Sequence, residues 1–259
     1  MDLDLKGKVM LITGGTDGLG LALAAQLAGE GASVAVCGRD PDRLGRADAA
    51  LHDAGGGDAL AQRVDVTVPE QLAAFVDAAV ARWGRIDGVV HNAGRASAGT
   101  IESVDDASWE SDFHLKLMAA VRLTRLALPQ LRLRRGAILF TLALAAKTPG
   151  RASEPSSVTR AAGMALMKAL SKELAPDGIR VNAVLIGLVE SGQWVRAAKA
   201  ADLELDEFYE RFAKDSGIPL GRFGRAREFA DLGCFLLSPR ASYLTGTAIN
   251  LDGGLSPAV

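Results

Sequence analysis

Short apolar segments alternate with longer helical segments along the whole chain, and this alternation strongly limits the possible folds. The apolar run Val9–Ile12 predicts a strand and Leu19–Gly29 the helix after it. The same pair recurs at Ser33–Cys37 and Pro41–Ala54. A strand, a crossover helix and a second strand form a unit whose strands lie parallel in one sheet. The sequence therefore predicts an α/β protein with a doubly wound parallel sheet of about seven strands flanked by helices.

Three later segments carry predictions of their own. The pattern favours a strand near 60–66, a long helix near 107–131 and an inserted helical stretch at 194–212 that is rich in charged and aromatic residues. No internal repeat, low-complexity tract or proline-rich linker interrupts the alternation. We therefore expect a single domain over residues 1–259.

Composition narrows the classes of function. Of the 259 residues, 49% are apolar and 23% are charged, with a formal net charge of −2. These values are ordinary for a globular protein and favour neither nucleic acid nor a membrane as a partner. The two cysteines, Cys37 and Cys234, lie far apart and lack the spacing of metal ligands. We expect a cytoplasmic protein with no metal centre, no signal peptide and no membrane-spanning segment.

A glycine-rich turn directly follows the first predicted strand and opens the first helix. It has the sequence Thr13-Gly14-Gly15-Thr16-Asp17-Gly18-Leu19-Gly20. Glycines at such a turn allow close approach of the backbone to a pyrophosphate, whose charge the helix N-terminus stabilises. A glycine cluster alone is a weak signal, but this placement between a strand and a helix favours a dinucleotide site.

Further motifs follow in a characteristic order. Asn92-Ala93-Gly94 comes after the fourth predicted strand, and Leu251-Asp252-Gly253-Gly254 lies near the end of the chain. With the glycine-rich turn, this set resembles the short-chain dehydrogenase/reductase family over essentially the whole chain. The resemblance implies a Rossmann fold. It also implies cofactor contacts from Gly14, Thr16, Asp17, Gly18, Leu19, Gly20, Arg39, Asp65, Val66, Asn92, Ala93, Gly94, Arg160, Gly187, Val189 and Ser191.

The residues after the second strand indicate which dinucleotide is preferred. An acidic residue there binds the ribose hydroxyls of NAD, whereas a cation accepts the 2′-phosphate of NADP. Gly38 stands where NAD-using relatives usually carry Asp, and Arg39 follows with a guanidinium suited to phosphate. Asp17 is a counter-signal, because many NADP-using relatives have a cation at that position. We expect NADP(H) in preference to NAD(H).

The family resemblance also locates four catalytic positions, and all four differ here. Family members use Asn, Ser, Tyr and Lys to exchange a proton with a carbonyl or alcohol group. The flanking sequences align Lys116 with the Asn, Ala143 with the Ser, Ser156 with the Tyr and Arg160 with the Lys. A serine hydroxyl is shorter and far less acidic than a phenol, and Ala143 donates nothing. Tyr209, in the inserted segment, is at best a remote substitute.

Lys116 and Arg160 are the residues from which new chemistry is expected. A neighbouring guanidinium lowers the pKa of a lysine toward a range useful for acid–base work. The pair also suits an anionic substrate or a developing oxyanion. Alternatively, Lys116 pairs with a local carboxylate or extends toward solvent.

Three functions remain open. The first is an NADP(H)-dependent oxidoreductase with a displaced proton donor such as Lys116. The second is a non-redox enzyme on the same scaffold, for example a lyase or cyclase. The third is a catalytically inactive partner that binds the cofactor.

Partners follow from the same resemblance. Family members dimerise, commonly within a tetramer, through the helices that correspond to 115–131 and 161–174, so a homodimer or homotetramer is expected. Residues 192–218 are the expected substrate lid, with an anionic or hydrophobic small molecule as substrate.

Overall fold

Every neighbouring pair of strands in the main sheet runs parallel, as the alternating sequence pattern predicts. The computed structural model describes all residues from Met1 to Val259. Seven strands form this sheet, and two short ones form a separate antiparallel pair. In chain order the strands are Val9–Thr13 (β1), Ser33–Gly38 (β2), Ala59–Arg63 (β3), Gly88–His91 (β4), Ala98–Gly99 (β5), Ala137–Ala143 (β6), Glu154–Pro155 (β7), Arg180–Ile186 (β8) and Ala248–Leu251 (β9).

The order of strands in the main sheet is β3-β2-β1-β4-β6-β8-β9. The direction of strand addition reverses between β1 and β4, because the chain builds outward on one side of β1 and then continues on the other. In doubly wound sheets a ligand crevice lies outside the carboxyl ends of the strands at such a reversal. The predicted α/β Rossmann architecture is confirmed, and its topology locates the crevice beside β1.

Helices cover both faces of the sheet. They are Gly18–Gly29 (α1), Pro41–Ala54 (α2), Pro69–Trp83 (α3), Asp106–Phe113 (α4), Ala119–Arg134 (α5), Ser156–Glu173 (α6), Gly192–Ala200 (α7), Leu205–Asp215 (α8) and Ala226–Leu237 (α9). None of these helices combines the length and apolar character needed to cross a bilayer.

Each face of the sheet contributes to its own apolar core. Successive strand side chains point to opposite faces, so Leu11 packs with α3, α5 and α6, whereas Ile12 packs with α1, α2 and α9. Phe75 of α3 and Phe229 of α9 are fully buried in the two cores. Burial on both faces explains why the strands are continuous apolar runs without alternation.

The predicted third strand ends earlier than expected. The pattern favours a strand over 60–66, but β3 ends at Arg63. Asp65 then accepts hydrogen bonds from the backbone N–H and the hydroxyl of Thr67 at 2.9 and 2.7 Å. This local turn takes the chain out of the sheet, because side-chain hydrogen bonds of Asp compete with strand pairing.

The prediction of one regular helix over 107–131 is wrong at its centre. Between α4 and α5 lies a five-residue π-helical turn, His114–Met118. A π-turn inserts one extra residue into the helical repeat and is often found at functional sites. Apolar periodicity is preserved on either side of the insertion, so the pattern does not reveal it. Lys116 lies within this turn.

The inserted stretch forms two helices, where a single helical segment over 194–212 was predicted. α7 and α8 are separated at 201–204, where Asp202 has a left-handed φ of 54° that interrupts helical geometry. Trp194 and Phe212 pack across the pair with ring centroids 5.1 Å apart. The two helices therefore share an aromatic cluster of their own.

Candidate functional site

Short side chains hold the turn between β1 and α1 against the end of β4. Asn92 Nδ2 donates hydrogen bonds to the carbonyl oxygens of Thr13 and Gly14 at 3.0 and 2.9 Å. A Cβ at Gly14 would lie 2.9 Å from the Ala93 Cα, so this close approach requires glycine. The contacts fix the backbone at the start of α1, where first-turn N–H groups lack intrahelical acceptors.

A cleft of about 730 Å³ opens at the carboxyl ends of the central strands. Among the predicted cofactor residues, Val189 alone does not line it, because Val189 is buried and its backbone pairs with Gly224. The others are Gly14, Thr16, Asp17, Gly18, Leu19, Gly20, Arg39, Asp65, Val66, Asn92, Ala93, Gly94, Arg160, Gly187 and Ser191. Tertiary folding thus brings six separate segments of the chain to one surface.

Two guanidinium groups lie at one end of the cleft. Arg39 is 68% exposed and lies 3.8 Å from Asp65. A Cβ at Gly38 would lie 2.6 Å from Thr16 Oγ1, so an aspartate at position 38 does not fit unless Thr16 moves. Arg43, in the first turn of α2, also lines this end and was not predicted. This end of the cleft thus has the guanidinium groups of Arg39 and Arg43. It has no carboxylate at position 38, where one would favour NAD.

Asp17 has a local structural role that accounts for its presence in the turn. Its Oδ1 accepts a hydrogen bond from the Gly18 backbone N–H at 2.8 Å and caps α1. Its Oδ2 lies 3.1 Å from Arg43 Nη1. Arg43 therefore balances the negative charge of Asp17 at this end of the cleft.

Two buried hydroxyl groups beside the cleft have no hydrogen-bond partner. These are Ser191 Oγ and Thr141 Oγ1. A buried hydroxyl without a partner is unfavourable, and such groups often await a ligand or a water molecule. The close backbone approach at Gly14, the start of α1 at the cleft and the unpaired Ser191 hydroxyl together fit a dinucleotide cofactor.

Ser156 and Arg160 line the inner wall of the cleft, and Lys116 lies directly behind Ser156. Lys116 Nζ lies 2.6 Å from Ser156 Oγ, and Ser156 Oγ also accepts a hydrogen bond from the Ser97 N–H at 3.0 Å. The Lys116 side chain is 2% exposed and lies 2.6 Å from Asp112 Oδ1. The local carboxylate weighed as an alternative partner is thus Asp112, and Lys116 contacts it and Ser156 at once.

The electrostatic environment of Lys116 makes its ammonium unusually acidic. Burial and the nearby Arg160 and Arg95 charges together lower the pKa of Lys116 to about 8, against the opposing effect of Asp112. An ordinary lysine would be almost fully charged at neutral pH, with little tendency to release its proton. At this pKa the amine is able to exchange a proton near neutral pH.

Arg160 and Ala143 are the residues at the other two predicted catalytic positions. Arg160 Nη1 donates a hydrogen bond to the Thr141 carbonyl oxygen at 2.6 Å. A Cβ at Gly94 would lie 2.6 Å from Arg160 Nη2, so glycine gives the guanidinium its space. Ala143, at the end of β6, lines the cleft but has no donor. The hydroxyl that family members have there is replaced only in part by Thr141.

Two further residues with ionisable side chains, His91 and Tyr209, have structural roles. His91 is buried, its Nε2 lies 2.9 Å from Thr124 Oγ1, and burial lowers its pKa to about 3. Tyr209 packs against Phe223 with ring centroids 4.6 Å apart and does not line the cleft. Neither residue supplies a proton to a substrate in this geometry.

Some residues of the site were not predicted from sequence. Asp112 lies four residues before Lys116, and helical spacing of opposite charges is a signal that points to this pair. Arg43 lies four residues after Arg39, close to the predicted start of the second helix at Pro41. No local signal identifies Ser97, whose backbone N–H reaches Ser156 only through the fold.

Comparison with known proteins agrees with the family motifs of the sequence. Residues 14–256 match a family model described as enoyl-(acyl carrier protein) reductase. The chain belongs to the short-chain dehydrogenase/reductase family. Among its relatives is a putative ketoacyl reductase of monensin polyketide synthase from Streptomyces virginiae, 37% identical over 96% of this chain and 97% of that protein.

Solved structures of other short-chain dehydrogenases/reductases superpose closely. A Pseudomonas aeruginosa short-chain oxidoreductase containing an atypical catalytic center is 37% identical, with a TM-score of 0.94 over 99% of this chain and 100% of that chain. It has also been solved with NADPH bound. L-Sorbose reductase from Gluconobacter frateurii, in complex with NADPH and L-sorbose, is 36% identical, with a TM-score of 0.95 over the full length of both chains.

Proposed function

We propose that this chain is an NADPH-dependent reductase of a carbonyl substrate in which Lys116 supplies the proton through Ser156. The observation that carries the proposal is the 2.6 Å contact of Lys116 Nζ with Ser156 Oγ at the wall of the cleft. When bound, NADPH supplies the hydride to the carbonyl carbon. The carbonyl oxygen takes up the proton, and the product is an alcohol.

The proton route follows from the hydrogen bonds of Ser156. Its Oγ accepts from Lys116 Nζ and from the Ser97 N–H, so its own hydrogen is free to point into the cleft. Lys116 lies behind Ser156 and does not line the main cleft. As Ser156 gives its hydrogen to the substrate oxygen, Lys116 replaces it, and no serine alkoxide forms.

Arg160 has a role in positioning and charge stabilisation. A guanidinium stays protonated, so it donates hydrogen bonds without exchanging its proton. Its hydrogen bond to the Thr141 carbonyl oxygen fixes one edge of the guanidinium group. The other donors suit ribose oxygens of the cofactor or negative charge that develops on the substrate oxygen.

NADPH is favoured over NADH by the residues at the ribose end. An aspartate at position 38, where it would bind ribose hydroxyls, would require Thr16 to move, while Arg39 and Arg43 offer cations. The Pseudomonas and Gluconobacter relatives were both solved with NADPH. We expect titration calorimetry to give micromolar binding of NADPH and weaker binding of NADH.

The test of the proton route combines turnover with cofactor binding. Lys116→Met and Ser156→Ala are expected to lower NADPH-dependent reduction of ketoacyl thioesters, L-sorbose or other ketones by about 10²–10⁴-fold, with unchanged NADPH affinity. Lys172→Met, at an exposed position of α6, is the matched control. Full turnover in Lys116→Met would exclude Lys116 as the proton source.

A non-redox activity is the second candidate, and the same contact favours it. A serine hydroxyl beside a lysine of lowered pKa also occurs in acyl-transfer enzymes, where neutral lysine activates the serine as a nucleophile. Labelling of Ser156 by a fluorophosphonate in the absence of NADPH would support this reading. If NADPH binds but neither turnover nor labelling occurs, the chain acts as a cofactor-binding partner.

The wider organisation is proposed on the same basis. We expect residues 1–259 to act as one domain, with 192–218 as the substrate lid whose aromatic cluster favours a partly apolar substrate. Leu126 of α5 and Val158 of α6 are exposed on the helices expected to form a homodimer or homotetramer interface. Light scattering is expected to give a mass of two or four chains, and Val158→Glu is expected to lower it.

A further inference from the structure

Asp112 is a fully buried carboxylate at the end of α4 that joins two helices of the site. It is 0% exposed. One oxygen, Oδ1, lies 2.6 Å from Lys116 Nζ in the π-turn. The other, Oδ2, accepts a hydrogen bond of 2.6 Å from Thr159 Oγ1 of α6. Lys116 contacts Ser156, and Thr159 directly precedes Arg160 in the chain. Each carboxylate oxygen thus faces a group beside one of these two site residues.

A carboxylate in this position is stable only if it remains paired. Removing a charged group from water is unfavourable, and the loss is offset by an opposite charge and by hydrogen bonds to the remaining lone pairs. Asp112 has both, from Lys116 and Thr159. Thr159 lies between Pro155 and Arg160 in sequence, so its hydroxyl fixes the carboxylate relative to the segment that carries Ser156.

The charges around Lys116 are unbalanced without Asp112. Arg160 approaches Lys116 from α6 and Arg95 from the segment after β4, and both disfavour its protonated form. His91 of β4 lines the same small cavity but is neutral, because burial lowers its pKa to about 3. Asp112 is the anion that faces the Lys116 ammonium group. Its negative charge therefore opposes the effect of the Arg160 and Arg95 charges on that group.

We propose that Asp112 is a positioning residue that keeps Lys116 protonated and holds its ammonium group against Ser156. The inference rests on the proposed function, in which Lys116 acts as the acid of a carbonyl reduction. A site held in this protonated form favours proton donation to a carbonyl oxygen. It disfavours the neutral lysine that would activate Ser156 as a nucleophile.

Asp112→Asn tests the proposal with little change of shape. The amide oxygen still accepts the Thr159 hydrogen bond, but the negative charge is lost. We expect the pKa of Lys116 to fall from about 8 by about one to two units. The measurement is an NMR titration of the protein labelled with ¹³C at lysine Cε, in which the Lys116 signal is identified by its absence in Lys116→Met.

The pH profile of turnover provides a second measurement that a purely structural role would not shift. NADPH-dependent reduction by Asp112→Asn is expected to decline at a pH lower by the same one to two units, with turnover recovered in more acidic buffer. Asp105→Asn is the matched control, because it removes a charge from the exposed start of α4 and asparagine still caps the helix. The control is expected to titrate like the parent protein.

A double variant keeps the test decisive if Asp112→Asn does not fold. Asp112→Asn with Arg160→Gln removes one charge of each sign, and its Lys116 signal is compared with that of Arg160→Gln alone. A lower pKa in the double variant is the expected result. The inference would be overturned if Lys116 had the same pKa in Asp112→Asn as in the parent protein. It would also be overturned if Lys116 had the same pKa in the double variant as in Arg160→Gln.

The outcomes separate this inference from the proposed function. A shifted Lys116 titration in a protein without reductase turnover supports the role of Asp112 and refutes the reductase assignment. Reductase turnover that requires Lys116, together with an unshifted titration in Asp112→Asn, supports the reductase and refutes the role of Asp112.

Discussion

The rate of carbonyl reduction is expected to depend on pH through Lys116. The reaction needs Lys116 in its protonated form, and burial lowers its pKa to about 8. For a group with this pKa, the protonated fraction is about 0.9 at pH 7 and about 0.1 at pH 9. The turnover number in reduction should therefore fall about tenfold between pH 7 and pH 9.

The rate of the reverse reaction is expected to depend on pH in the opposite direction. Alcohol oxidation needs the neutral amine to accept the proton, so its rate should rise about tenfold over the same interval. Both directions are followed by nicotinamide absorbance at saturating cofactor and substrate, so that binding does not contribute. A stable buffer series at constant ionic strength is needed, because the charges of Arg160 and Arg95 are screened by salt.

Variants separate Lys116 from other groups that titrate. Lys116→Arg keeps a positive charge but does not release its proton in this range, so its residual rate should be independent of pH. Lys172→Met should retain the parent profile. A reduction rate that changes less than twofold from pH 7 to pH 9, or an inflection that persists in Lys116→Arg, would refute the assignment.

Arg39→Ala and Arg43→Ala are each expected to weaken NADPH binding about tenfold and to leave NADH binding unchanged, measured by calorimetry; equal losses for both cofactors would contradict a 2′-phosphate site. Thr159→Val removes a donor to buried Asp112 and should lower the free energy of unfolding by about 1–3 kcal/mol in urea titrations; an unchanged midpoint would contradict this. His91 is neutral when folded, with a pKa of about 3, but protonates near its ordinary value when unfolded. The unfolded state therefore gains protons below about pH 6.5, and the free energy of unfolding should fall by about 2 kcal/mol from pH 7 to pH 5. In His91→Asn this fall in the free energy of unfolding should be absent. An equal fall in that variant would show that other groups cause it.

Much of the fold follows from local sequence pattern. Strand and helix periods, the glycine-rich turn and Asn92-Ala93-Gly94 specify parallel β–α units and a crevice at their carboxyl ends. These predictions succeed because each depends on residues close in sequence, whose backbone geometry is set by local sterics. The short third strand and the π-turn were not anticipated, because a side-chain hydrogen bond and a single inserted residue leave the apolar period intact.

The sequence by itself determined which residue types stand at the catalytic positions and that a phenol is missing from them. Only the tertiary structure decided how Lys116 and Ser156 combine, since they lie 40 residues apart and meet between α6 and the π-turn. Burial, and the charges of Asp112, Arg95 and Arg160 around it, then set the acidity of Lys116. Acidity depends on desolvation and on distances between charges, and both arise only when separate helices pack together.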